Sequence, residues 1–211
     1  MHRLAVLLLV CAVGCGDPAS APDATTPRQQ PDDTPVEENE QPTAELAQSK
    51  TRIGDVELTQ KTVVDGKLSL LVPDGFSEMT EAALELKYPS SRRPTLVYTN
   101  DTGSINVAIN HTKSRMPLNE IDAFHRNMDG MFRNLYPSAT WFASGIIHLQ
   151  GRKWLNLDLR TPAIDTEIRN LMAGTSVDGR LLLVSFNVTK ELESGWLPVG
   201  EAILQSLRVL D

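Results

Sequence analysis

Cysteine is confined to the first fifteen residues, where Cys11 and Cys15 are the only two in a chain of 211. Everything downstream therefore lacks thiol chemistry, disulfides and Cys-based zinc sites. A basic stripe is missing as well. From Thr51 to Asp211 the chain carries 19 acidic and 17 basic residues, a net −2. Nucleic-acid phosphates demand clustered Lys and Arg, so nucleic acid is excluded as a partner. No HExxH, GxSxG or P-loop motif occurs. After His2 the histidines are His111, His125 and His148, far apart and without a second ligand at metal spacing. No catalytic, cofactor-binding or metal-ligating residue is assigned, and the expectation is a protein that is not an enzyme. His125 reads as a half-buried structural histidine at the fringe of a helix stripe. The apolar run Leu4 to Val10 is also short, well under the ~20 residues that span a bilayer.

What is present begins at the N-terminus. Met1-His2-Arg3 supplies a positive charge, and the apolar run follows it as in a secretory signal peptide. Then comes Ala12-Val13-Gly14-Cys15, which resembles a lipobox, the cleavage signal of bacterial lipoproteins. Small Gly14 suits the cleavage position, whereas the rival Cys11 follows bulky Val10. Ala12 stands where leucine is more usual. The expectation is a signal peptide over residues 1–14, cleaved between Gly14 and Cys15, with lipid attached at Cys15. The alternative is an ordinary secretory signal with an incidental cysteine. The resemblance implies acyl chains on the thiol and on the new amino group. Each buried CH₂ contributes about 0.8 kcal/mol, and more than one chain makes anchoring stable. Gly16, in place of an aspartate, implies an outer-membrane destination, on its periplasmic or surface face.

Residues 15–50 read as a tether. Between Gly16 and Lys50 stand six prolines, and eight acidic residues face only Arg28 and Lys50, a net −6. Such a segment buries too little apolar surface to offset its ordering entropy, and it is expected to be a disordered spacer. Extended, it reaches on the order of 100 Å. The formal charge of −7 thus belongs mostly to the tether.

Residues 51–211 read as one globular domain. Val56–Leu58 and Thr62–Val64 look like short strands. Asp65-Gly66 then turns into a strand over Lys67–Val72. Thr80 caps a short helix to Lys87. Thr95–Thr99 and Ile105–Ile109 form a hairpin about Asn100–Gly103. Leu118, Ile121, Phe124, Met128, Met131, Phe132 and Leu135 make one apolar stripe on a helix over Pro117–Leu135. Strands follow over Trp141–Leu149, Lys153–Arg160, Glu167–Val177 and Leu181–Val188. A last helix spans Leu192–Leu207, with Pro198 in its first turns. Short turns imply antiparallel pairing, so the fold class is α+β, a mainly antiparallel sheet layered with two main helices.

This layout resembles the PsbP-like superfamily, which includes the DcrB-like lipoproteins. The resemblance rests on Leu68–Pro73 followed by Gly75-Phe76, the hairpin at Asn100–Gly103 and the helix before Tyr136. Gly151-Arg152-Lys153-Trp154 and the closing helix from Trp196 to Leu207 add to it. It covers about residues 56–210 and implies an α/β/α sandwich. It further implies a non-catalytic domain that binds a protein partner or assists an envelope assembly. The competing reading is a small-ligand-binding lipoprotein with a cleft between helix and sheet. Arg92 and Arg93, adjacent in a loop, are candidate contacts for an acidic partner. Asp158 reads as a residue on a solvated strand face. The sequons at Asn100, Asn110 and Asn187 read as chance matches.

Overall fold

Turn chemistry sets most of the strand register. The computed structural model describes residues 50–89 and 93–210; Gly14, Cys15, the tether and Arg92 lie outside the described residues. The chain runs through β1 (Lys50–Ile53), β2 (Val56–Val63), β3 (Leu68–Pro73), β4 (Ser77–Glu78), α1 (Glu81–Lys87), β5 (Leu96–Thr99) and β6 (Ile105–Arg115). It continues through a 3₁₀ turn (Leu118–Glu120), α2 (Ile121–Leu135), β7 (Thr140–Leu149), β8 (Arg152–Pro162), β9 (Glu167–Val177), β10 (Arg180–Thr189), α3 (Lys190–Gln205) and β11 (Arg208–Val209). Gln150-Gly151 and Asp178-Gly179 have positive φ at both residues, the two-residue hairpin geometry that matches strand twist. They join β7 to β8 and β9 to β10 with no slack.

All strand pairs are antiparallel. A seven-stranded sheet has the order β4-β5-β6-β10-β9-β8-β7, and a four-stranded sheet the order β1-β2-β3-β11. Residues directly opposite share a face, so the register sorts the side chains into two layers. Val107, Phe186 and Leu171 lie in line across β6, β10 and β9. That face packs on Val199, Ile203 and Leu204 of α3 and on Leu58, Leu68 and Leu70 of the small sheet. On the reverse face Leu155, Leu157, Leu159 and Met172 meet Ile121, Met128 and Phe132 of α2. Leu84 of α1 covers Val97 and Ala108 beside them. Helices thus cover both faces of the sheet.

Several expectations are refined. Val56 to Val63 is one strand, because it pairs with β1 and β3 along its length. Thr80 does cap α1, accepting a hydrogen bond from Ala83 N. The apolar stripe of α2 is shorter than its sequence pattern: Leu118 is 39% and Leu135 47% exposed. Leu118 sits in the 3₁₀ turn, whose tighter winding rotates it out of the α-helical stripe. α3 begins at Lys190, so Pro198 falls in the helix interior and not in the first turns. Ser194 and Pro198 are both exposed, so the carbonyl that proline leaves without a donor belongs to the solvent side of the helix. β1, β4 and β11 are short elements that the sequence pattern does not announce.

α3 approaches the sheet closely because Gly200 has no side chain. A Cβ there would sit 2.3 Å from Cδ1 of Phe186, which is fully buried. On the exposed side of the same helix, a Cβ at Gly195 would meet nothing within 4 Å. Gly200→Ala is therefore expected to lower unfolding free energy by about 1–3 kcal/mol through overpacking. Gly195→Ala should raise it by up to about 1 kcal/mol. Denaturant titration of the two variants checks both signs.

Candidate functional site

Burial on both faces forces the polar residues of the central strands to find partners. Asn106, Asn187 and Asn170 stand directly opposite one another across β6, β10 and β9 on the α1/α2 face. Asn187 Nδ2 donates to Asn170 Oδ1 at 2.8 Å, and Asn170 Nδ2 donates to Thr161 Oγ1 at 3.1 Å. At the other end Lys87 of α1 donates to Gly103 O at 2.7 Å and to Asn106 Oδ1 at 3.1 Å. Burial pushes the Lys87 ammonium down to about 8. All of these side chains are buried, so the seam is structural and its polar atoms do not open onto a ligand cleft. Burial of Asn110 and Asn187 in strands also removes two of the three sequons from the surface.

The α3 face carries a charged cluster. Arg169 makes a two-bonded pair with Asp158, at 2.6 and 2.9 Å, and a further bond to Glu193 of α3 at 2.9 Å. Arg160 reaches Glu193 at 2.8 Å. Two cations and two carboxylates cancel, which is what lets Arg169 and Glu193 be buried. Asp158 is thus no solvated residue; the first turn of α3 roofs that face of β8. Phe142 of β7 lies over both guanidinium groups, 3.2 Å from Arg169 Cζ and 5.2 Å from Arg160 Cζ to the ring centroid. The ring itself is 45% exposed.

On the α2 face a second polar group holds the same strand. Ser144 of β7 donates to Asp129 Oδ1 at 2.5 Å, and His125 Nε2 lies 2.9 Å from the same hydroxyl. Arg133 pairs with Asp129 through Nε at 2.7 Å, and its Cζ sits 4.1 Å from the Trp141 ring centroid. The Arg133 guanidinium, aided by Ser144, holds the Asp129 carboxyl below its usual range. Ser, His and Asp meet here without forming a nucleophile. The one hydroxyl proton goes to the nearer, charged carboxylate, so His125 donates to Ser144 and cannot deprotonate it. The group fastens α2 to β7, in keeping with a structural His125.

The other histidines are separate from this group. His111 Nε2 donates to Val177 O at 3.1 Å and Nδ1 accepts from Arg180 at 3.3 Å. Among the described residues no set of three His, Cys, Asp or Glu side chains is placed to hold a metal, and no helix is long and apolar enough to cross a membrane. Arg93 is paired with Glu81 and Glu85 of α1, at the β5 end of the sheet. That end is five strand spacings from β7, roughly 24 Å away.

Both flanking clusters converge on β7, and β7 is an edge strand. Sheet edges expose unpaired N–H and C=O groups, and proteins usually blunt them. Three of the four edges among the described strands are blunted: β4 and β11 have two residues each, and β1 carries Lys50 and Arg52. β7 runs for ten residues, TWFASGIIHL, with no Lys, Arg, Asp, Glu or Pro. A bulge between Trp141 and Ala143 twists its start, leaving Ala143–Leu149 in regular pairing with β8. Half-buried Trp141 with Arg133 on one face, and exposed Phe142 over Arg160 and Arg169 on the other, flank it with the residue types enriched where partners bind. Sequence reasoning found the strand but missed the site, because edge position follows from sheet order. The available signal was the lack of any charge in β7.

The sequence matches no family model and no curated protein. Among solved structures, the solution structure of the cyanobacterial PsbP protein CyanoP from Synechocystis superposes with a TM-score of 0.53. It is 12% identical over 72% of this chain and 92% of that one. The fold is PsbP-like. Two further structures are PA94 from Pseudomonas aeruginosa, a putative regulator of unknown function, and LpqN of Mycobacterium tuberculosis, involved in cell envelope biogenesis. Each is 12% identical; TM-scores are 0.42 and 0.47, and coverage is 73% and 74% of this chain and 98% and 92% of theirs. In this PsbP-like domain the α/β/α layering expected from the sequence is present, and β7 is its long open edge.

Lys87 provides a pH test of the seam. Its folded pKa of about 8 lies below the ordinary 10.5, so between these values the unfolded chain binds the extra proton. Unfolding free energy must then rise with pH across that window. Relative to Lys87→Met, the wild type should gain about 1–3 kcal/mol between pH 7 and pH 10.5. A flat difference in paired denaturant titrations would refute the buried ammonium.

Proposed function

We propose that this chain is a non-catalytic lipoprotein, anchored through Cys15, whose domain binds a protein partner along the β7 edge. The anchor rests on the Gly14-Cys15 junction after a short apolar segment. Gly16 favours an outer-membrane location, and the acidic tether sets the domain away from the bilayer. The single observation that carries the binding reading is a ten-residue, uncharged edge strand where the other three edges among the described strands are blunted. An extended segment added to β7 would satisfy its outward backbone groups, while Trp141 and Phe142 supply apolar contacts on opposite faces. A membrane-assembly role follows if that segment belongs to an envelope protein. The small-ligand reading is disfavoured because the polar seam beneath α1 is closed and internally satisfied.

Gly145→Lys tests the edge directly. A Cβ at Gly145 meets nothing within 4 Å, so the domain should fold with its stability nearly unchanged. A charge in mid-strand opposes pairing. Crosslinking and capture from native membranes should recover partners with the wild type and lose them with Gly145→Lys. Cys15→Ser should lose them as well, if binding occurs at the membrane. Equal recovery with Gly145→Lys would remove β7 from the function.

A further inference from the structure

We infer that the strand added to β7 is β7 of a second copy, paired antiparallel about a two-fold axis through Gly145. This deepens the partner-binding reading and rests on β7 being the docking edge. The bulge at Trp141–Ala143 ends the regular ladder on one side, so a second copy can pair only from Ala143 onward. With Gly145 opposite itself, Ser144 faces Ile146 of the second copy and Ala143 faces its Ile147.

These pairs respect the faces of the sheet. Ser144 and Ile146 lie opposite Leu157 and Leu155 of β8, on the α2 face. Ala143 and Ile147 lie opposite Asp158 and Trp154, on the α3 face. Each pair sets a large side chain against a small one, which eases close approach of the two strands on both faces. Gly145 itself leaves open space at the axis. The strand is also its own electrostatic match, since neither copy brings a charge into the pairing.

A heterologous contact would leave a second open edge and propagate, whereas this isologous one closes at two copies. It fuses two seven-stranded sheets into one, with both α2 helices on one side and both α3 helices on the other. Five residue pairs make a small interface, so the dimer should form more readily where tethering concentrates the domains.

A charge swap tests the axis. Like charges directly opposite destabilise a strand pair, and opposite charges stabilise it. Sedimentation of the full chain carrying Cys15→Ser should show a dimer. Gly145→Lys and Gly145→Glu should each be monomeric, and their equimolar mixture should recover the dimer. Should either variant fail to fold, Gly145→Cys with Cys11→Ser and Cys15→Ser should crosslink to itself on oxidation. Directly opposite residues place their Cα atoms about 4.5–5.5 Å apart, within disulfide reach.

A monomeric wild type, or charged variants that remain dimeric, would overturn the inference. If the wild type is monomeric while Gly145→Lys still abolishes capture of another protein, the edge-binding function stands and only the second copy is wrong. If Gly145→Lys changes neither association nor capture, both readings fall.

Discussion

Burial of the two central strands on both faces is the constraint from which most of the structure follows. Every residue from Ile168 to Val177, and from Leu181 to Val188, is buried. Apolar side chains there are accommodated by α3 and the small sheet on one face and by α2 on the other. Polar ones cannot reach water, and an unmade hydrogen bond costs about 1–3 kcal/mol. Asn170 and Asn187 therefore bond to each other, and Arg169 draws in Asp158 and Glu193. The same constraint confines α3. Its first turn brings Glu193 to Arg169, and Gly200 lets its middle close on Phe186. The start and the middle of that helix are thus set by what β9 and β10 bury.

A sheet covered on both faces has little left with which to meet a partner except its edges and the rims of its helices. β7 differs from the central strands in this respect. It is held firmly on its inner side, by pairing with β8 and by the Ser144–Asp129 and Phe142–Arg169 contacts, and it is open on its outer side. A rigid, pre-extended strand loses little conformational entropy when another pairs with it. The arginines beneath Trp141 and Phe142 serve two roles: they neutralise buried or half-buried carboxylates, and they stiffen the two rings. Rigid aromatic groups beside an open backbone edge favour recognition of an extended peptide over that of a small solute.

The elements that were legible in the sequence are those whose signal is local. Thr80 before Ala82-Ala83-Leu84 marked the start of α1, and Asp65-Gly66 marked a turn by its tolerance of positive φ. The alternation Leu155-Leu157-Leu159 gave the α2-facing side of β8. What the pattern could not give depends on partners distant in the chain. Asp158 reads as solvated because its strand alternates apolar and polar, yet a helix more than thirty residues later covers the polar side. β11 has two residues and exists only because β3 is beside it. Pro198 suggested a helix start, but the exposed face of α3 tolerates it in the interior. The candidate site was hidden for the same reason: nothing local distinguishes an edge strand from an inner one, apart from the composition of β7. Arg92 and Arg93, conspicuous in sequence, belong to the other end of the sheet, where Arg93 braces α1.

The central claim is that β7 is open in the isolated chain and becomes paired when the protein assembles. Amide hydrogen exchange measures this residue by residue, since a backbone N–H exchanges slowly only when it is hydrogen-bonded. Fast exchange is predicted at the outward-facing amides of Ala143–Leu149 in the dilute chain, and slow exchange there in the membrane-assembled protein. The amides of β9 and β10 should be slow in both states. Unchanged exchange along β7, with protection arising on another surface instead, would contradict the claim.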